Sequence, residues 1–121
     1  EISLAVGKLV GEVDALYNIT DNMMVAASAT LIDAADGAKI PVFASEDGAY
    51  DLGILATESL SYYEFGKAAA GMIKEILVDG KDVGTLEVVV SDATNLYVNE
   101  EVAKELGIEL PASVTDRATD R

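Results

Sequence analysis

The sequence predicts an α/β fold in which helices flank a parallel β-sheet, and three observations lead to this prediction. Short apolar runs alternate with segments of helical periodicity along the 121 residues. Hydrophobic residues make up 50% of the chain and are mainly Ala, Val, Leu and Ile, as expected for helices packed on a buried parallel sheet. The length is that of one domain of moderate size.

The first half of the chain has the pattern of a helix followed by a strand–helix–strand unit. Asp21 is a candidate N-cap of the second helix, and Gly37 is its candidate C-cap. A right-handed crossover through this helix makes the two strands parallel. No cap precedes the first helix, so the chain is expected to begin inside a helix, as a truncated segment would. The predicted elements are a helix over 1–10, a strand over 13–19, a helix from 22 to about 35 and a strand over 40–44.

The second half adds two helices and further candidate strands. Ser61 and Glu64 form a capping box at the start of a long amphipathic helix, which Gly80 ends. Gly66 and Gly71 inside that helix each cost about 1 kcal/mol relative to Ala, which suggests the close approach of a neighbouring backbone. The predicted elements are strands over 53–60, 86–90 and 95–98, a helix over 62–79, a short helix over 99–106 and a loose tail over 113–121.

The charge and composition argue against several classes of function. Eight Lys and Arg residues against 22 Asp and Glu residues give a formal charge of −14, so nucleic acids and anionic membranes are unfavourable partners. The chain contains no His and no Cys, which removes the commonest general bases, nucleophiles and transition-metal ligands. We therefore predict a protein that is not an enzyme and that has no catalytic residue, metal or cofactor.

Two acidic turns, 20–22 and 45–48, each follow an apolar run that is predicted to be a parallel strand. Ligands of open α/β sheets bind outside the carboxyl ends of the strands, where both turns are expected to lie. The first turn starts a helix, whose free N–H groups suit a carboxylate, and the second carries acidic side chains, which suit an ammonium group. Together they complement a zwitterion, of which an amino acid is the simplest. The candidate ligand-binding residues are Thr20, Asp21, Asn22, Ser45, Glu46 and Asp47.

These residues also have other interpretations. Asp21 is a good helix cap, and Asp47 followed by Gly48 is an ordinary turn signal. Asp21, Glu46 and Asp47 together offer oxygen ligands for Mg²⁺, as in a flavodoxin-like receiver domain. Such a domain also needs a Lys at the end of one strand, and no Lys follows a predicted strand. The magnesium hypothesis is therefore the weaker one.

Five segments of the chain carry a family resemblance, and their combined spacing is more specific than any one of them. They are VDALYNITDN at 13–22, KIPVFASEDG at 39–48, LAT at 55–57, YYEFGK at 62–67 and NEEVAKELGI at 99–108. Over about residues 12 to 112, the chain resembles the ABC-transporter substrate-binding protein family associated with tryptophan and tyrosine uptake.

The resemblance implies the Rossmann- or flavodoxin-like sheet of one lobe of a type I periplasmic-binding-protein fold. Residues 1–112 would form the C-terminal lobe, and the helix over 62–79 would normally pack on a first lobe. That lobe and any signal or lipoprotein segment would be absent. The acidic turns fit the family's Thr-Asp-Asn turn and its acidic pair before a glycine. Ser45 replaces a more usual glycine there.

The resemblance also implies a function, namely that of the extracytoplasmic solute-binding component of an ABC importer. The protein would lie in the periplasm or be lipid-anchored at the outer face of the cytoplasmic membrane. Its expected ligand is a small zwitterion such as an aromatic amino acid, and its expected protein partner is the ABC permease. Exposed surface meant for the first lobe would favour self-association of this chain alone. The alternatives are a stand-alone flavodoxin-like regulatory or Mg-dependent domain and the sensor lobe of a transcription regulator.

Overall fold

A computed structural model describes residues 2–90 and 93–120, which fall into two compact units. We call Glu1–Ser59 with Asn95–Arg121 the sheet unit, and Leu60–Thr94 the helical insert. No helix in the described part of the chain is both long and apolar enough to cross a membrane.

The sheet has four strands that neighbour one another in chain order, which confirms the predicted α/β fold. The first two strands are parallel neighbours, as the strand–helix–strand pattern predicts, and the third strand lies parallel to the second. The last strand runs antiparallel to the third, because the Asn99 N–H donates to the Leu55 carbonyl at 2.8 Å and the Ser61 N–H donates to the Ala93 carbonyl at 3.1 Å. The strands are β1 at Leu16–Asn18, β2 at Val42–Ala44, β3 at Ala56–Leu60 and β4 at Thr94–Val98.

Helices cover one face of the β1–β2 pair, where the core of the sheet unit lies. α1 (Ile2–Leu9) packs on α3 (Ser28–Ala38), and both contribute buried apolar side chains. Alternation along β1 buries Leu16 and Asn18 beneath the helices and leaves Tyr17 64% exposed on the other face. The buried core cluster contains Val6, Leu16, Leu31, Ile32, Ala35, Val42, Ala44, Ala49 and Ile54.

The single helix predicted from 22 to about 35 is wrong in its continuity and in its end. The structure has α2 (Asn22–Ala26) and then α3, with the break at Ala27. The Ser28 hydroxyl donates to the Met24 carbonyl at 3.0 Å, and such a side-chain bond competes with the helical ladder. α3 ends at Ala38, and its C-cap is Lys39, in the left-handed region with φ of 58°, rather than Gly37.

The C-terminal region also differs from the prediction of a loose tail over 113–121. α5 (Glu100–Leu106) is present as expected, but α6 (Ala112–Thr115) follows it. The Thr119 N–H donates to the Leu96 carbonyl at 2.7 Å, and Arg117 lies 3.0 Å from Glu58 in an ion pair. These contacts hold the described part of the tail to β3 and β4.

The helical insert consists mainly of α4 (Tyr62–Leu77), with a short 3₁₀ turn at Val83–Thr85. Ser61 caps α4 as predicted, since its hydroxyl accepts from the Glu64 N–H at 3.4 Å. None of the residues of α4 is buried. No described atom lies within 4 Å of a Cβ built on Gly66 or Gly71, so the predicted close approach is not seen in the part of the chain that the structure describes.

The strand predicted at 86–90 is wrong. The segment has no ladder partner among the described residues, and Val88 and Val90 are 89% and 87% exposed. A run of β-branched residues favours an extended backbone, but a strand also needs a neighbour for its N–H and C=O groups.

The left-handed Lys39 generates a prediction about stability. Lys39→Gly is expected to raise the free energy of unfolding by about 0.5–1 kcal/mol, because Gly reaches a positive φ without the steric cost of a Cβ. Urea denaturation measures this change. Lys39→Ala is the control, since it removes the charge but keeps the Cβ. Equal stability of the Gly and Ala variants would show that backbone strain at this position is not the cause.

Candidate functional site

The parallel pairing of β1 with β2 brings the two acidic turns together at the carboxyl ends of these strands. Asn18, the last residue of β1, lies opposite Ala44, the last residue of β2. The pairing continues into the turns, where the Ser45 N–H donates to the Asn18 carbonyl at 3.0 Å. Beyond it, the hydroxyl oxygens of Thr20 and Ser45 lie 2.8 Å apart. A side-chain hydrogen bond therefore links the two turns directly.

Asp21 is the N-cap of α2, as predicted. Its Oδ1 accepts from the Met23 N–H at 2.9 Å and from the Met24 N–H at 3.2 Å. These two N–H groups are therefore occupied and do not face a ligand carboxylate. α2 is only five residues long, so its dipole is also small. Asp21 itself is exposed, and its Oδ2 has no hydrogen bond assigned to it within the described ranges.

Glu46 folds back over its own turn. Its Oε2 accepts from the Gly48 N–H at 2.8 Å, and a Cβ on Gly48 would lie only 2.7 Å from that oxygen. A side chain at position 48 would therefore require the Glu46 carboxylate to move. The other carboxylate oxygen, Oε1, is buried and has no hydrogen-bond partner in residues 2–90 and 93–120.

The remaining candidates flank these two carboxylates. Asn22 is exposed at the first position of α2. Asp47 is half-buried, and its carbonyl accepts from the Tyr50 N–H at 3.1 Å, where a 3₁₀ turn over Tyr50–Leu52 begins. The structure thus places all six candidate residues at the carboxyl ends of β1 and β2.

The rim formed by these turns is rich in hydrogen-bond acceptors. Neither Asp21 nor Glu46 pairs with a basic residue in the described part of the chain. The Ser45 hydroxyl lies within 3.4 Å of the Asn18 carbonyl as well as near Thr20. Internal acceptors can therefore take both hydroxyl hydrogens, which leaves lone pairs as the free groups of these two side chains. Four ion pairs between described residues lie outside the rim, at Glu64–Lys67, Lys74–Asp79, Glu75–Lys81 and Glu58–Arg117.

Two observations concern other possible sites, a metal site and a separate cleft. No group of three or more carboxylates among the described residues is placed so as to hold a metal ion. A cleft of about 910 Å³ is lined by Tyr50, Val98 and Asn99, among others, but by none of the six candidates. It lies towards the amino ends of the parallel strands, because Asn99 bonds to Leu55 just before β3.

Sequence reasoning missed two buried polar residues, Asn18 and Thr57. They are 3% and 2% exposed and lie on the helix-covered face near the rim. The available signal was the presence of polar residues inside otherwise apolar strands.

The comparison with protein families decides the identity of the chain. A family model described as ABC transporter substrate binding protein matches residues 1–121. The chain belongs to this family. The chain is 36% identical to the tyrosine-binding protein of Clostridioides difficile over 109 residues. The matched residues are 90% of this chain and 31% of that protein.

Solved structures agree with the family assignment. A conserved domain protein from Vibrio cholerae is 33% identical with a TM-score of 0.83, and the match covers 98% of this chain and 40% of that one. An ABC domain from Streptococcus pneumoniae, solved in complex with L-Trp, is 28% identical with a TM-score of 0.82, covering 98% and 41%. The chain thus spans about two fifths or less of the length of these relatives.

The capping role of Asp21 can be separated from any role in binding. Asp21→Ala is expected to lower the free energy of unfolding by about 1 kcal/mol, because the bonds to two backbone N–H groups are lost. Asp21→Ser keeps a capping oxygen and should stay within a few tenths of a kcal/mol of the parent. Urea denaturation of both variants measures the difference. An equal loss in both would contradict capping as the structural role of this side chain.

Proposed function

We propose that this chain is the ligand-binding C-terminal lobe of the extracytoplasmic solute-binding component of an ABC importer. The proposed ligand is a small zwitterion such as an aromatic amino acid. The observation that carries the proposal is the pair of acidic turns, which the Thr20–Ser45 hydrogen bond joins at the carboxyl edge of the sheet. A tyrosine-binding relative and a relative in complex with L-Trp support the choice of ligand.

The chain holds the ammonium end of the ligand. Asp21 Oδ2 and the Glu46 carboxylate offer negative acceptors, and no described Lys or Arg neutralises them by an ion pair. Charge-assisted hydrogen bonds of this kind are the strong ones. Thr20 and Ser45 add neutral lone pairs beside them, and Asp47 adds negative charge to the same turn.

The carboxylate end of the ligand depends mostly on other parts of the protein. Capping by Asp21 occupies the N–H groups of Met23 and Met24, which leaves the side-chain amide of Asn22 as the clearest donor from this chain. The relatives are more than twice as long as this chain, so further donors can come from the rest of the protein.

The helical insert belongs to the same proposal. α4 has exposed apolar residues, among them Tyr62 at 68% and Leu77 at 78%. We assign this surface to contact with the first lobe, and expect the isolated chain to associate through it. In the intact protein, ligand between the lobes favours a closed state, which the permease recognises. Binding and release involve no chemical step.

The location of the protein follows from this role. A solute-binding component works outside the cytoplasmic membrane, either free in the periplasm or held by a lipid anchor at the outer face. The magnesium-dependent alternative finds no support in the positions of the described carboxylates. The regulator alternative has no observation in its favour.

Three kinds of ligand distinguish binding of the ammonium group from binding of the carboxylate: an amino acid, its amine and its acid. Calorimetry on the full-length protein should detect L-tryptophan or L-tyrosine. Glu46→Gln should weaken their binding by about tenfold or more, because a hydrogen bond to a charged group is lost. Tryptamine, which keeps only the amine, should show the same loss. Indole-3-propionate, which keeps only the carboxylate, should bind the variant and the parent equally.

The control variant is Glu101→Gln, which removes one charge from an exposed position on α5, outside the rim. It should leave all affinities unchanged. Equal weakening of indole-3-propionate and tryptamine by Glu46→Gln would contradict the assignment of the ammonium end. The absence of any amino acid binding would contradict the proposed function.

A further inference from the structure

Buried polar side chains collect beneath the rim, on the helix-covered face of the sheet. The apolar residues Leu16 and Val42 fill the amino half of this face, whereas Asn18 and Thr57 lie towards its carboxyl half. The buried polar residues of the described ranges are Asn18, Ser28, Thr57 and Ser59.

The orientation of the Asn18 amide follows from its neighbours. The Ser28 hydroxyl donates its hydrogen to the Met24 carbonyl at 3.0 Å, so it can only accept from Asn18. Asn18 Nδ2 therefore faces Ser28, at 3.5 Å. Asn18 Oδ1 points elsewhere and is buried, with no hydrogen-bond partner among residues 2–90 and 93–120.

Thr57 is in the same situation on β3. The residue is 2% exposed, and its hydroxyl has no hydrogen-bond partner within the described ranges. Buried polar groups in native proteins are nearly always paired, with the protein or with ordered water. Two such orphans on one face are therefore informative.

The sheet register places these two groups on either side of a small residue. Asn18 lies opposite Ala44, and Ala44 lies opposite Thr57. Neighbouring strands are about 4.8 Å apart, so the Cα atoms of Asn18 and Thr57 are about 10 Å apart. Only the methyl group of Ala44 lies between them on this row. A water molecule with two hydrogen bonds of about 2.8 Å spans the distance that remains between such side chains.

We propose that Asn18 and Thr57 hold one buried water molecule above Ala44. The water donates one hydrogen to Asn18 Oδ1 and bonds to the Thr57 hydroxyl through its other hydrogen or a lone pair. It lies directly beneath the rim, because Asn18 also accepts the Ser45 N–H through its carbonyl. The site needs no amino acid ligand, so it goes beyond the proposed function.

A double-mutant cycle on the ligand-free, full-length protein tests this hydration site. Thr57→Val has nearly the same shape and removes the hydroxyl. If water bridges the two groups, the variant should raise the unfolding equilibrium constant by roughly tenfold. In the background of Asn18→Leu, which removes the other water partner, the same substitution should have little or no effect. Thr57→Ser, which keeps the hydroxyl, is the control and should retain the coupling to Asn18.

Two results would overturn the proposal. Residues about 10 Å apart without a shared partner have effects that combine within about a factor of two, so independent effects of the two substitutions would exclude a bridge. A Thr57→Val variant that is as stable as the parent, or more stable, would show an unhydrated hydroxyl. If Asn18→Leu fails to fold, a high-resolution crystal structure of the parent decides the matter, since it should show water within hydrogen-bond distance of both side chains. Failure to bind amino acids would leave each of these outcomes unchanged.

Discussion

The in-register parallel pairing of β1 with β2 is the constraint on which the rest of the site depends. Because Asn18 lies opposite Ala44, both strands end at the same level and the turns that follow them lie side by side. A shift of one residue would turn Asn18 to the opposite face and would separate Thr20 from Ser45. The apolar side chains of Leu16 and Val42 fix this register, since a shift would expose them.

The acidic side chains at the rim serve local structure before they serve a ligand. One carboxylate oxygen of Asp21 accepts hydrogen bonds from two backbone N–H groups, and one oxygen of Glu46 accepts from the Gly48 N–H. Asp21 retains its second oxygen, and the exposed Oε2 of Glu46 retains a further lone pair, so capping and binding are compatible. The second oxygen of Glu46 is buried. The same bonds hold both carboxylates in place in the absence of a ligand, which lowers the entropic cost of binding. They also remove donors, and this explains why the chain suits one end of a zwitterion better than the other.

The sequence predicted those features that depend on neighbours in the chain. Asp21 and Ser61 are recognisable caps. The crossover of a strand–helix–strand unit has a known hand, so the parallel pairing of β1 with β2 was predictable. The break at Ala27 was not predictable from periodicity, because Met24, Ala27 and Leu31 keep helical spacing across it. The side-chain bond from Ser28 to the Met24 carbonyl is seen only in the structure. Lys39 ended α3 although Gly37 has the better intrinsic preference for that position.

Features that depend on distant partners were the least predictable. The run 86–90 has strand propensity, but propensity does not supply a pairing edge. The tail looked aperiodic, yet Leu96 and Glu58 hold it through single contacts made far along the chain. Asn18 and Thr57 lie in different strands, and only the register shows that they share one row above Ala44.

The two joined turns are proposed to bind the ammonium group of one small ligand. A crystal structure of the full-length protein with bound L-tryptophan or L-tyrosine tests this proposal most directly. The amine nitrogen should lie within about 3.2 Å of a carboxylate oxygen of Asp21 or Glu46. A ligand bound with its amine away from both turns would show that these carboxylates do not bind the ammonium group.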